Sequence, residues 1–464
     1  MATIYPVLKE NTEQQIFIGD AADTPNNPVI GAKWRQDDTG NELTYDGEAW
    51  HQSASGGVPF VNWSYQEGVK DAFGRLRVSN PETIFDSKQL YDSQPLFWDD
   101  IEESGASTTS SHSTATASTT IGVAATTAGK RVRQTFRRFN YQPGKSQLSF
   151  ITFVLDDSGS GSGLIRNVGL FDDDNGIYIS NVADDYYIIL RRSISGSPSD
   201  VPVPQISWNI DRFVGSGPSG ITLDFTKAQI LVIDYEWLGV GRVRVGFVVG
   251  GNIYYAHEFN TANLGTGVYM STPNLPIRYE IENQGAGAAA TLETICSTVI
   301  SEGGQQEIGA ARYSSTNNTQ VTCAVVGTIY LVKGIRLKST ALSATVKILT
   351  AAIQLQSASD DVEWRLIFDP TYSAGPTWGA ETNSAVDTCT GAGETVTGGY
   401  AFSGGYAATG AANSAHDSLT QQVENALLLG SDIAGTAQTI ALCCISLTNT
   451  NAIVEGSMTW REQQ

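Results

Sequence analysis

The feature that most restricts this chain is a period of two. In Leu231-Val-Ile233-Asp-Tyr235-Glu-Trp237 the odd positions are apolar, and Asp234 and Glu236 stand between them. In Arg242-Val-Arg244-Val-Gly-Phe247-Val-Val249, residues Val243, Val245, Phe247 and Val249 share one side, and Arg242 and Arg244 share the other. Successive side chains of a strand point to opposite faces, so the pattern suits a strand and not a helix. Gly250-Gly251 follows, ahead of Asn252-Ile-Tyr-Tyr255. Glycine supplies the positive φ angles of a tight hairpin turn. Asp174-Asn175-Gly176 marks a second turn, between residues 169–171 and 177–179. Short strands with turns every ~8–12 residues predict a β-sandwich over residues 130–304.

The rest of the chain reads as β too, so the fold class is all-β. Residues 1–55 form a small N-terminal β module, in which Leu43-Thr-Tyr-Asp46-Gly47-Glu-Ala-Trp50 is a hairpin turning at Asp-Gly. Ser53–Gly57 is a linker. Residues 56–129 open with a dense run of aromatics, expected as extended structure laid on a neighbouring domain or subunit. The Ser/Thr/Ala-rich stretch 104–129 is either a flexible linker or a polar strand. Residues 305–464 are a C-terminal β domain. Within it, 373–415 is expected to be a long loop, and Leu419–Leu429 is the one helix candidate.

Composition removes several classes of function. Against 28 Lys+Arg stand 48 Asp+Glu, a net charge of −20. A duplex-binding protein needs a basic footprint to release counterions, so nucleic acid is excluded as a main partner, and an anionic membrane surface is disfavoured. Charged residues make up 16% of the 464, against about 25% in ordinary domains. Ser, Thr, Asn, Gly and Ala take their place, a composition of secreted or virion-type β proteins. No apolar run approaches the ~18 residues of a membrane span. The opening MATIYPVLKENTEQ offers no basic n-region and no apolar h-region. The expectation is therefore a soluble protein made in a cytoplasm. Cys296, Cys323, Cys389, Cys443 and Cys444 show no CxxC spacing and are expected as buried thiols.

No catalytic constellation emerges. Asp99-Asp100 with Glu102-Glu103, Asp184-Asp185 and Asp360-Asp361 offer carboxylates for glycan cleavage, but neighbours on a strand face opposite ways, and solvated turns are the expectation. Asp172-Asp-Asp174-Asn-Gly176 lacks the Gly and Glu positions of a calcium loop. His51, His112, His257 and His416 are too far apart for zinc spacing. His257-Glu258 is read onto a strand and His416-Asp417 into a loop. There is no GxSxG elbow and no phosphate loop. Lys130-Arg131-Val-Arg133 and Arg137-Arg138 could hold a phosphate or sulfated glycan, with a solvated face or inter-subunit salt bridges as the plainer reading. No catalytic residue, cofactor or metal is expected.

Five stretches, however, resemble a family. They are Asp71-Ala-Phe-Gly-Arg-Leu-Arg-Val-Ser-Asn-Pro-Glu-Thr-Ile-Phe-Asp-Ser-Lys88, Arg137-Arg-Phe-Asn-Tyr-Gln-Pro-Gly-Lys145, Tyr235-Glu-Trp-Leu-Gly-Val-Gly-Arg-Val-Arg-Val-Gly246, Val268-Tyr-Met-Ser-Thr-Pro-Asn-Leu-Pro-Ile-Arg-Tyr-Glu280 and Ile295-Cys-Ser-Thr-Val-Ile-Ser-Glu-Gly-Gly304. Together, over about residues 69–304, they resemble structural proteins of tailed bacteriophages. The resemblance implies a concanavalin-like or jelly-roll sandwich and a non-enzymatic virion component. The expectation is an oligomeric surface appendage, a tail fibre, spike or baseplate-associated protein with host-surface contact. Capsid decoration or a head fibre is the alternative, and a spike-borne glycan depolymerase the alternative of another class. Expected partners are the chain itself as a homotrimer, other virion proteins through the N-terminal module, and a host glycan or protein. Phe73, Phe85, Tyr91, Phe97 and Trp98 are the candidates for inter-subunit packing. Tyr400, Phe402 and Tyr406 are the candidates for an exposed recognition loop.

Overall fold

The computed structural model describes residues 3–9, 12–19, 22, 24–25, 28, 30, 32–36, 42–45 and 48–52, then 70–77, 80–155, 162–356, 361–408, 416–418 and 428–463. The chain divides into two compact units, residues 1–67 and 68–464. The architecture is all-β, with several sheets and no α-helix among the described residues.

The first unit is a five-stranded sheet in chain order: Thr3–Lys9, Thr12–Gly19, Lys33–Gln36, Glu42–Tyr45 and Trp50–Gln52. Its core is Phe17, Ala32 and Trp34, with Trp50 set edge-on to Phe17 (5.9 Å) and Trp34 (5.6 Å). The expected hairpin is present, but Tyr45 pairs with Trp50. The connection therefore spans residues 46–49, rather than turning at Asp46-Gly47 alone. That register turns the Trp50 ring onto the Trp34 side, where it buries apolar surface.

The second unit opens with the sandwich. One sheet runs Ser199–Pro204, Asp185–Arg192, Gly176–Val182, Leu164–Phe171, Ile277–Gln284, Ala128–Thr135, Trp98–Gly105. The facing sheet runs Asn252–Asn260, Arg242–Val249, Gln229–Tyr235, Ser146–Leu155, Ala290–Glu302, Ser118–Val123, Thr108–Ser113, and Pro81–Ser87 also pairs with Ala290–Glu302. Between the sheets lies one core. Leu231, Ile233, Tyr235, Val243, Val245 and Phe247 all enter it, as the alternation requires. Val249 pairs with Asn252, and Gly250 and Gly251 sit at φ +59° and +82°, so the turn uses the freedom that glycine supplies. Phe171 pairs with Gly176, which places the second predicted turn where the sequence put it.

Residues 104–129 are not a linker. They complete Trp98–Gly105, supply Thr108–Ser113 and Ser118–Val123, and begin Ala128–Thr135. Polar hydroxyls serve here as sheet fasteners: Ser110 Oγ donates to Asp100 (2.6 Å) and Thr119 Oγ1 to Gln89 Oε1 (2.5 Å). Likewise the aromatic segment is not laid wholly on a neighbour. Phe85 and Trp98 enter this chain's own core, with ring centroids 6.1 Å apart. Tyr91 is exposed and Phe97 partly so, while Phe73 is half-buried under Arg75. Residues 58–69 lie outside the described residues.

The C-terminal part has its own core between two sheets. One holds Ala310–Ser315, Ala452–Gln463, Thr345–Leu355 and His416–Ser418, with Val321–Cys323 also on Ala452–Gln463. The other runs Gly379–Ala380, Val386–Thr390, Ile329–Leu337, Thr439–Ser446, Asp361–Phe368, Tyr400–Ala408. The expected loop 373–415 thus contains strands, and His416 stands on one too. Glycine makes this possible without apolar alternation: Gly405 lies over the Trp364 ring, where a Cβ would come within 2.9 Å of it. The helix candidate Leu419–Leu429 falls outside the described residues except at its buried end, Leu428 and Leu429.

Sandwich and C-terminal part are joined by backbone and charge. Ser431 N donates to Phe136 O (2.9 Å), Ile433 N to Asp99 Oδ2 (2.8 Å), and Arg138 Nη1 to Ser431 Oγ (2.6 Å).

Candidate functional site

The outer face of the eight-stranded sheet carries a buried polar lock centred on Asp234. The sequence pattern put Asp234 and Arg244 on the face away from the core, and they are there, yet both side chains have no solvent exposure. Residues 70–77 lie over them. Asp234 Oδ2 accepts from Arg77 Nη2 (2.5 Å), Arg244 Nη2 (2.6 Å) and the Tyr255 hydroxyl (2.7 Å). Its Oδ1 accepts from Ser146 Oγ (2.7 Å). Arg77 reaches on to Glu302 (2.5 Å). Both guanidinium groups also hold the overlying segment by its backbone: Arg77 Nε and Arg244 Nη2 donate to Lys70 O, at 3.0 and 2.6 Å. Arg242 Nε donates to Ala72 O (2.9 Å). Burial pushes the Glu302 carboxyl up to about 7 against the pull of Arg77.

The first, third and fifth of the family-like stretches supply Arg77, Arg244 and Glu302 to this lock, while the second and fourth pack on the core side of the same sheet or at its end. The first brings Asp71, Arg75 and Arg77. The second brings Tyr141, stacked on Tyr235 at 5.8 Å, and Lys145, whose Nζ donates to Gly304 O (2.6 Å). The third brings Tyr235, Arg242 and Arg244. The fourth supplies Tyr269, donating to Glu236 O (2.8 Å), and Pro273 O, which accepts from the Tyr235 hydroxyl (2.8 Å). The fifth supplies Glu302 and Gly304. A second cluster lies on the outer face of the seven-stranded sheet. There Glu280 pairs with Arg278 (2.5 Å) and Lys130 (3.3 Å) and accepts from Asn167 (2.9 Å). Burial favours the protonated form of Glu280, but the two cations outweigh it and hold the carboxyl below its ordinary range.

These contacts decide most of the sequence candidates. The basic run was expected on a solvated face or between subunits. Instead Arg131 and Arg133 both bind Asp100 within the chain (2.7 and 3.3 Å), and Arg133 is buried over the Trp98 ring. Lys130 binds Glu103 (2.7 Å) and Arg138 binds Asp172 (3.2 Å). The carboxylates of 99–103 are engaged in these contacts, Glu102 capping Thr108 N (2.9 Å). Ala183 and Asp184 form the turn between Gly176–Val182 and Asp185–Arg192, as expected. Asp172 caps the next turn through the amides of Asp174 (3.0 Å) and Asn175 (2.9 Å). No group of three metal-ligating side chains occurs among the described residues. His257 sits on its strand, accepting from Asn209 N at Nδ1 (3.2 Å); burial lowers it to about 4. Cys323, Cys389, Cys443 and Cys444 are buried, whereas Cys296 is exposed.

The recognition candidates are split. Tyr400 and Tyr406 are exposed, but on the strand Tyr400–Ala408, and Phe402 packs against the C-terminal core. Sequence reasoning missed an open trough of about 550 Å³ at the edge of the sandwich, between Tyr187, Ile206, Arg212 and Val214 and the turn at Asp184. The exposed apolar Ile206 was the available signal.

No family model and no curated protein matches the chain. Among solved structures it is similar to a protein of unknown function from Shewanella oneidensis (8% identity, TM-score 0.32, 50% of this chain and 91% of that one). It is also similar to the CBM2 module of an evolved Dit from Lactobacillus casei BL23 phage J-1 (7%, TM-score 0.31, 47% and 95%). A third is peanut lectin (9%, TM-score 0.28, 48% and 98%). No helix among the described residues is long and apolar enough to cross a membrane.

Proposed function

We propose that this chain is a non-enzymatic structural protein of a tailed-phage virion, an oligomeric surface appendage of the fibre or spike type. One observation carries the reading. Three of the five stretches that resemble phage structural proteins supply Arg77, Arg244 and Glu302 to a buried lock that ties residues 70–77 to the sandwich. What the resemblance marks is thus a means of holding a scaffold together. Residues 305–464, outside the family-like stretches, carry the exposed Tyr400 and Tyr406. Exposed aromatic side chains on a rigid strand suit contact with a host glycan or protein.

Immunogold labelling of virions with antibody to residues 305–464 tests the placement. Gold at the tail or its tip is the expected result; gold spread over the head replaces this reading with capsid decoration or a head fibre. Sedimentation tests the homotrimer, which a concentration-independent monomer refutes. A capsule-clearing assay tests the absence of glycan cleavage, and cleared capsule overturns it.

A further inference from the structure

Of the basic run Lys130-Arg131-Val-Arg133 and Arg137-Arg138, four cations have carboxylate partners and one has none. Arg137 makes no ion pair, and no acceptor among the described residues takes a hydrogen from its guanidinium. Its one neighbour of note is the Phe139 ring, 6.0 Å away. Its Nε is shielded from solvent. Burial alone acts on it, lowering it to about 10 with no opposing carboxylate. A half-buried guanidinium with its Nε shielded and no counter-ion is costly, and this chain has 20 acidic groups more than basic ones from which one could have been placed.

Arg137 lines a cavity of about 110 Å³ between the sandwich and the C-terminal part, well above the ~10–15 Å³ that one water needs. Two more buried polar atoms with no partner line the same cavity, Thr345 Oγ1 and Gln305 Oε1. A hydroxyl can rotate to donate, and a side-chain amide can present either end. Lys347 and Arg461 complete the cationic lining, both bound to Glu307, and Glu82 is the remaining carboxylate. The lining thus holds three cations against two carboxylates.

We propose that this cavity is a binding site for a small oxyanion, a phosphate or a carboxylate, held by the Arg137 fork and the Thr345 hydroxyl. A guanidinium matches both anions in bidentate geometry. The bound anion bridges the sandwich, through Arg137, and the C-terminal part, through Thr345.

The test is calorimetric titration of the full chain, dialysed free of phosphate, with inorganic phosphate and separately with acetate, at constant ionic strength set by chloride. Saturable binding of one equivalent is expected, with a rise in melting temperature that follows anion concentration. Phosphate binding alone identifies a phosphate site; acetate binding alone identifies a carboxylate site. Arg137→Met is expected to weaken binding at least about tenfold, the scale of one lost charge-assisted hydrogen bond. Thr345→Val breaks no existing hydrogen bond and is expected to weaken it a few-fold, which keeps the test valid should Arg137→Met misfold. Saturable binding of neither anion, or equal binding by wild type and both variants, overturns the proposal and leaves water as the filler.

Discussion

Replacing Asp234 by Asn tests the lock directly. The amide keeps the size of the carboxylate and removes its charge. Four donors converge on the native group, three on Oδ2 and one on Oδ1. Whichever way the amide turns, its NH2 faces donors. Two guanidinium groups lose their shared anion, and Arg244 has no exposure through which water could replace it. Removing one partner from a buried pair costs about 3–5 kcal/mol. The loss falls first on residues 70–77, because Arg77 and Arg244 are what hold Lys70 O.

Urea unfolding followed by tryptophan fluorescence reads the global cost, and trypsin reads the local one. The expected outcome is a loss of about 3–5 kcal/mol, with early cleavage after Arg75 and Arg77. Asp86→Asn is the comparison, since its partner Lys88 is largely exposed (3.1 Å pair) and such pairs contribute less than about 1 kcal/mol. If Asp234→Asn shifts stability no more than Asp86→Asn and leaves the trypsin pattern unchanged, the lock is not what holds the segment.

Gly169→Ala would bring a Cβ within 2.4 Å of Ile177 O and 2.6 Å of Tyr178 Cα, both backbone; a loss of about 1–3 kcal/mol in thermal or urea unfolding is expected. His257 is neutral in the fold down to about 4, while the unfolded chain protonates near the ordinary 6.5. Its contribution is therefore complete above pH 6.5 and lost as pH falls towards 4; in urea titrations across that window, His257→Gln should flatten the fall, and an unchanged slope refutes it. Ellman's reagent should find one fast thiol, Cys296, in the folded chain and the other four only after unfolding, since burial pushes Cys389 up to about 12 and Cys443 higher still.

Strands were legible where apolar residues alternate, as in 229–249, and turns where glycine must take positive φ, as at Gly250. They were illegible where the alternation is carried by hydroxyls or by nothing. Ser118–Val123 is held by side-chain oxygens and by its neighbours, and Tyr400–Ala408 by its pairing with Asp361–Phe368, where Gly405 lies against the Trp364 ring. A sequence shows that Asp234 and Arg244 oppose the core side; it does not show that a segment 157 residues earlier will cover them. For the same reason Arg133 looked solvated, and Phe85 and Trp98 looked available to a neighbour. The candidate recognition residues were legible as aromatics, but their strand was not.

That covering segment explains why Asp234 and Arg244 are buried, and they are not the only buried charges in a chain with so little charge. Arg133, Arg244, Arg278, Asp234 and Glu280 are all at most 5% exposed. Well-packed apolar side chains in such places are often no less stabilising than ion pairs, so stability alone does not account for them. Geometry does. The outer face of the eight-stranded sheet also bears an apolar patch, with Leu148, Val232 and Tyr255 buried and Phe150, Val248 and Ile253 packed against them. A wholly apolar face there would accept any apolar strand, including one from another copy. Asp234, Arg244 and Glu302 instead demand a partner with an arginine at one place and free carbonyls at another, and residues 70–77 meet that demand with Arg77, Lys70 O and Ala72 O. The lock thus selects which segment lies on the face, and it does so with side chains supplied by four separate stretches of the sandwich and its cover. A change at any one of them leaves a buried charge on another.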